Sequence, residues 1–338
     1  MAQRVKVAAA HVAPVYLDAR ATVEKACGLI HDAAASGVEL LVFPESFVPG
    51  FPLWAAVSAP IRNHDLFVSF ARESIQVPGP EILQLCAAAR DAGIIVSIGI
   101  SEAAPHSVGC LWNSNILIGA DGSILNHHRK LVPTFYEKLI WANGDGSGLR
   151  VVETPVGKIG ALICGENTNP LARYSLMAQG EQIHISSYPP TWPTHEPSKN
   201  ERYDLASSIR IRAGAHSFEA KALVDSTTLE RLSELGPEML RVMTDSPQGI
   251  SMIVGPNGLP VAETASTEDT LLIEVIDLDD CVVPKQFHDV VGYYNRYDVF
   301  DLHVNREAMG PISFSDDLQN ARSLDFDDLQ RMIGTEGA

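Results

Sequence analysis

The chain has 338 residues, 46% of them hydrophobic and 20% charged, an ordinary balance for a soluble globular protein with a sizeable core. Its net charge of −17 leaves no basic stripe to meet phosphates, which excludes nucleic acid and anionic membrane surfaces as partners. Five cysteines lie far apart without a CxxC pair, the pattern of reduced thiols in a cytoplasmic compartment and not of a disulfide frame or zinc site, and no apolar run reaches the length of a membrane span.

Residues 5–13 alternate as a first strand and lack the long apolar core of a signal peptide. Asp18 caps a helix whose apolar positions Val23, Ala26, Cys27, Ile30 and Ala33 recur at three and four, ending at Gly37. Residues 38–43 form a second strand that delivers Glu45 at its carboxyl end. The stretch 46–60, with Pro49, Gly50, Pro52 and Trp54, is a loop. Helices are predicted over 63–73 and, past Pro78-Gly79-Pro80, over 81–91; residues 93–100 are a strand. Two hairpins follow. In the first, 113–118 and 123–128 flank Asp121-Gly122, and the second arm ends at Lys130.

The second hairpin joins 149–153 to the apolar strand 158–163, which ends at Cys164. Asn167, Thr168 and Asn169 suit a helix N-cap, Pro170 suits the first helical position, and Leu171, Tyr174, Ser175 and Ala178 recur at helical spacing. A cysteine at a strand-to-helix turn meets the positive end of a helix dipole, which eases thiolate formation; the plain alternative is a small buried apolar residue. A strand at 181–187, a loop through Tyr188 and Trp192, a long helix over 199–221, a short strand at 222–224 and strands at 249–254, 260–262 and 271–276 complete the sheet. One domain over residues 1–309 is expected, followed by an acidic surface tail at 310–338 without a sustained apolar period.

Glu45, Lys130 and Cys164 thus stand at the ends of three predicted strands, where groups on neighbouring strands converge on one crevice. A nucleophilic thiol, a carboxylate to take its proton and an ammonium to hold developing negative charge make an acyl-transfer set. Taken singly, Glu45 is a surface carboxylate and Lys130 a solvated hairpin end; their company gives them meaning. No local motif places a histidine beside Cys164.

Phe43-Pro44-Glu45, His128-Arg129-Lys130 and Cys164-Gly165-Glu166 resemble the Glu–Lys–Cys motifs of the nitrilase superfamily of carbon–nitrogen hydrolases. Tyr136-Glu137, Trp141 to Gly146, Asn169 to Arg173, Ala178 to His184 and Gly292 to Asp298 resemble its true nitrilase branch, so that the likeness runs from residue 5 to residue 305. The resemblance implies a four-layer α-β-β-α sandwich, a homo-oligomer that can grow into spirals, and hydrolysis of a nitrile to a carboxylic acid and ammonia without metal or organic cofactor. It makes Cys164 the nucleophile, Glu45 the general base, Lys130 the cation at the tetrahedral centre and Glu137 a second carboxylate, with the Gly165 backbone N–H beside Lys130. Two other readings belong to the same likeness: an amidase, and a catalytically silent assembly subunit.

The family usually carries tryptophan where this chain has Gly165, and Arg-Pro where it has Arg296-Tyr297. Glycine at 165 is expected to leave open volume beside the reacting carbon, or to serve a turn with unusual φ; the volume reading makes Gly165→Ala nearly neutral. Trp54, Phe135, Tyr188 and Trp192 are candidate pocket walls. Glu166 either caps the helix start or buttresses the site, with the structural role favoured, and His127, His128 and His184 lack metal-ligand spacing and read as structural.

Overall fold

Alternation within strand β1 (Arg4–His11) sets the layering: Ala8 and Ala10 face one core, Val5 and Val7 the other. The computed structural model describes residues 4–195, 203–220, 245–246, 248–309 and 324–334; the strand predicted at 222–224 lies outside them. After β1 come α1 (Ala19–Ala35), β2 (Leu40–Val42), α2 (Trp54–Val57), α3 (His64–Glu73), α4 (Pro80–Ala92), β3 (Ile95–Ala103), β4 (Leu111–Ile118) and β5 (Ile124–Arg129). The chain continues through β6 (Val152–Thr154), β7 (Gly157–Ile163), α5 (Pro170–Met177), β8 (Ile183–Ser187), α6 (Leu205–Ala220), β9 (Ser251–Val254), β10 (Pro260–Thr264), β11 (Thr270–Asp277), α7 (Val282–Phe287) and α8 (Phe326–Gly334). Asp18 accepts a hydrogen bond from Ala21 N at 2.9 Å and starts α1 where the sequence placed it. The stretch read as a loop holds the single turn α2.

One sheet runs β11-β1-β2-β3-β4-β5, with β1, β2 and β3 parallel and the rest antiparallel. Its outer face packs Leu41, Val96, Ile98 and Ile116 on Val23, Ile30, Ile82 and Leu85 of α1 and α4. Its inner face packs Val5, Val7, Leu40, Val42 and Ile95 on Ile159, Ala161, Ile183 and Ile185 of a second sheet, β6-β7-β8, and on Ile253 of the β9-β10 pair. Beyond that sheet, Leu162 meets Ala172 and Leu176 of α5, and Ile209 and Ala213 of α6 join Met252 and Val254. Helix, sheet, sheet, helix: this is the expected four-layer sandwich. Among the described residues no helix is long and apolar enough to cross a membrane.

The acidic end departs from its expectation as a surface tail. Residues 326–334 form α8, whose Phe326 and Leu329 are buried in the core with α4, and the Arg90 guanidinium lies over the Phe326 ring at 4.0 Å. Phe326, Leu329, Met332 and Ile333 recur at helical spacing, but this one short stripe, set among Asp325, Asp327 and Asp328, does not make a sustained apolar period.

Candidate active site

Each member of the set sits just past a strand of the two facing sheets. Beyond β2 the backbone of Glu45 crosses directly over Gly99 of β3, where a Cβ would stand 2.3 Å from Pro44 O and 2.8 Å from Glu45 Cα. Glycine at 99 is what lets the carboxylate reach this point. Lys130 follows β5, and its N–H donates to Asn113 O at 2.8 Å. Glu137 sits on a one-turn 3-10 helix, Phe135–Leu139, and accepts from Thr134 N at 2.9 Å. Cys164 follows β7 with φ +49°, a left-handed conformation uncommon for a residue with a side chain.

These four side chains are buried together. Lys130 Nζ donates to Glu45 Oε1 at 2.7 Å and to Glu137 Oε2 at 2.6 Å, and Asn113 Nδ2 donates to Glu45 Oε1 at 2.7 Å. One oxygen from each glutamate and the Cys164 sulfur lie within 4.8 Å of one another. Such a trio could hold a cation, and the Lys130 ammonium already stands between its carboxylates. Glu45 Oε2 and Glu137 Oε1 are buried without a hydrogen-bond partner among the described residues.

Burial raises the Glu45 carboxyl against the pull of Lys130, and raises Glu137 to about 7 against the same pull. For Lys130 burial works against the charge, but Glu137 and Glu45 outweigh it and keep the ammonium protonated. Cys164 is pushed well above the ordinary thiol range, first by burial and then by Glu45. The expected thiolate at a helix N-terminus is therefore overturned. A 3-10 turn, Cys164–Thr168, separates the thiol from α5, whose N-terminus is capped instead by Asn169 accepting from Leu171 N at 3.0 Å. The resting nucleophile keeps its proton and needs a base to take it.

Tyr188, Trp192 and Trp54 all belong to the apolar cluster that contains Cys164. Trp192 stacks on Tyr136 with centroids 4.5 Å apart, whereas Trp54 packs edge-on to Phe70 and Phe70 edge-on to Trp141. Phe135 lies outside that cluster, 66% exposed, with its ring edge-on to Tyr136.

The unusual-φ reading of Gly165 is not met, since its φ lies outside the left-handed range. A side chain stands close in the volume that the other reading left open: a Cβ there would stand 2.7 Å from Thr134 Oγ1. Gly165→Ala should therefore lower kcat for small and bulky substrates alike, by about tenfold, as a methyl group displaces the loop that carries Glu137. Adding Thr134→Ala should recover most of the loss; simple additivity of the two changes would show that the positions do not meet.

Glu166 buttresses the site. It accepts from Ile163 N at 2.8 Å, Leu131 N at 2.6 Å and His128 Nε2 at 2.9 Å, tying the Lys130 segment to the Cys164 turn. His127 donates to Glu102 at 2.8 Å, and Arg129 also binds Glu102 while lying over Trp112. Sequence reasoning missed Asn113 and Thr134 because no local motif marks them. Antiparallel pairing of β4 with β3, and the turn after β5, bring them in.

A family model described as carbon–nitrogen hydrolase matches residues 6–285. An arylacetonitrilase from Hypocrea virens is 35% identical over 90% of this chain and 92% of its own length. A nitrilase from Talaromyces marneffei is 35% identical over 90% and 96%. Among solved structures, Nit3 of Saccharomyces cerevisiae, a member of branch 10 of the nitrilase superfamily, is similar with a TM-score of 0.66 at 20% identity, covering 87% of this chain and 97% of that one.

Proposed function

Because the chain belongs to the carbon–nitrogen hydrolase family, among its nitrilases, we propose that it hydrolyses an organic nitrile to the carboxylic acid and ammonia through a covalent intermediate on Cys164. The observation that carries this reading is the Lys130 ammonium held between Glu45 and Glu137 beside the buried thiol. Glu45 takes the thiol proton as sulfur attacks the nitrile carbon, and that proton passes to nitrogen, giving a thioimidate. Water adds across the C=N bond, its hydroxyl to carbon and its first proton through a carboxylate to nitrogen; as the hydroxyl collapses to a carbonyl its proton also passes to nitrogen, which leaves as ammonia. A thioester remains, and a second water releases the acid and restores the thiol. Lys130 and the Gly165 N–H hold the charge of the tetrahedral species, which stabilises them without reorganisation in a dry site. A raised carboxyl such as Glu137 can exchange protons near neutrality.

Ammonia release from aliphatic, arylaliphatic and aromatic nitriles and from the matching amides tests the reading. Nitrile turnover supports it; turnover of amides alone makes the protein an amidase, and turnover of neither makes it a silent subunit. With an active nitrile in hand, Glu137→Gln should slow thioester hydrolysis more than acylation, so that intact mass shows an acyl adduct. Wild-type rates without an adduct would place Glu137 outside the chemistry. Self-association of the chain in the cytoplasm is part of the proposal. Its support is the exposed apolar surface along the α7 region, with Val282, Val283, Phe287, Tyr293, Tyr294 and Phe300, and five cysteines without disulfides.

A further inference from the structure

Behind the Cys164 turn lies a buried polar cluster that the proposed chemistry does not use. Glu181, at the entry to β8, binds His184 Nδ1 through Oε1 and His216 Nε2 through Oε2, each at 2.8 Å. His184 Nε2 stands 2.8 Å from Asn167 Oδ1. Asn167 Nδ2 in turn faces two carbonyls, Cys164 O at 3.0 Å and Leu162 O at 3.4 Å. All four side chains are buried.

The hydrogen-bond directions can be settled by counting donors. Two carbonyls accept and cannot donate, so the group facing them is the amide nitrogen and the oxygen of Asn167 must accept. His184 therefore donates from Nε2 to Asn167 and from Nδ1 to the Glu181 carboxylate. With a proton on both nitrogens its ring is a cation paired with Glu181. His216 donates from Nε2 to the other oxygen and stacks on His184, centroids 3.4 Å apart, as the neutral member. Burial first, and then the charge on His184, lower His216 to about 4, while His184 and His216 outweigh burial to hold Glu181 at about 2. The same three groups could be taken for a metal site, but their facing atoms are already joined to one another or to Asn167.

We propose that Glu181, His184 and His216 form a positioning relay that acts through Asn167 to hold the two carbonyls flanking Ile163, and with them the left-handed backbone of Cys164, in the conformation that aims the sulfur at the substrate. The inference rests on the reading of Cys164 as nucleophile. A left-handed residue with a side chain persists only where its surroundings fix it. Here the surroundings include, beside the Glu166 bond to Ile163 N, two N–H bonds from one amide, whose own orientation is set by His184. The glutamate charge is thus transmitted to the nucleophile as geometry, by way of His184 and the Asn167 amide.

The decisive variant is Asn167→Asp, which keeps shape and the acceptor for His184 but replaces the two donors with oxygen. It is expected to lower kcat about 10- to 100-fold with KM nearly unchanged, and to slow alkylation of Cys164 by iodoacetamide, mapped by peptide mass, to a similar degree. A purely structural role would lower the melting temperature and leave both rates alone in the folded enzyme. Should Asn167→Asp fail to fold, His184→Gln and His184→Leu decide: glutamine retains a donor towards Asn167 and should recover part of the kcat and alkylation rate that leucine loses. Wild-type kcat and alkylation rates in folded Asn167→Asp, or equal rates in the two His184 variants, overturn the relay. A wild-type enzyme inert towards every nitrile would instead overturn the functional reading, and the alkylation rates would still report on the relay.

Discussion

Cys164→Ala is expected to abolish nitrile turnover, by a factor on the order of 10⁴ or more, because the covalent route is lost and the remaining groups can only polarise a bound nitrile. The fold should be retained. Alanine fills a buried position at φ +49° no worse than cysteine does, and the clamps on the turn come from Glu166 and Asn167, not from sulfur. Cys164→Ser tests the chemistry more sharply: a hydroxyl of similar size sits beside the same base, yet serine is a weaker nucleophile than a thiol. Ammonia assays with melting curves on the same samples check both. Turnover by well-folded Cys164→Ala above a hundredth of wild type would sink the thioimidate mechanism.

Lys130→Met is the second large effect, and it should cost stability as well as activity. Methionine keeps most of the volume but leaves Glu45 and Glu137 facing each other in a dry site. Removing one partner from buried ion pairs destabilises by about 3–5 kcal/mol. The pH dependence has a definite sign. Without the ammonium, carboxyls already raised by burial rise further above their unfolded values, so the folded form is favoured at low pH and loses stability as pH climbs through the folded value. Chemical denaturation should therefore show a larger deficit at pH 8 than at pH 5. An equal deficit at both would mean that the two carboxylates do not share the cation. Adding Glu137→Gln should restore part of the stability and none of the activity.

The chemistry was legible in the sequence where strand ends deliver it. Glu45 and Cys164 each follow an apolar run of strand length, and Lys130 ends the second arm of a hairpin marked by Asp121-Gly122; β2 and β5 point the same way in one sheet, so their ends fall on the same side of it. What was not legible is what the third dimension adds. Gly165 looked like empty volume because the residue that stands beside it, Thr134, is far back in the chain on another turn. Asn113 looked like any polar residue of a strand until the β3–β4 pairing set it against Glu45. Glu181 and His184 could be seen as a motif, but His216 arrives from α6 to meet the second oxygen of Glu181, a pairing that no sequence spacing marks. The thiol's titration was misread for a related reason: a dipole is visible in a sequence, burial is not.

The sheet order has a consequence for how the chain is made. β1 lies between β2 and β11, and its whole length pairs with β11, from Arg4 with Asp277 to His11 with Thr270. On the ribosome the first strand finds β2 almost at once, but its other edge stays open until residue 277 has emerged. At translation rates of about 5–20 residues per second that wait is roughly 10–50 seconds, with one edge of a strand rich in Val and Ala unpaired throughout. The nascent protein is thus exposed to edge-to-edge pairing with its neighbours on a polysome, and overexpression yield should depend on how well chaperones cover the first strand, long before the catalytic turn exists.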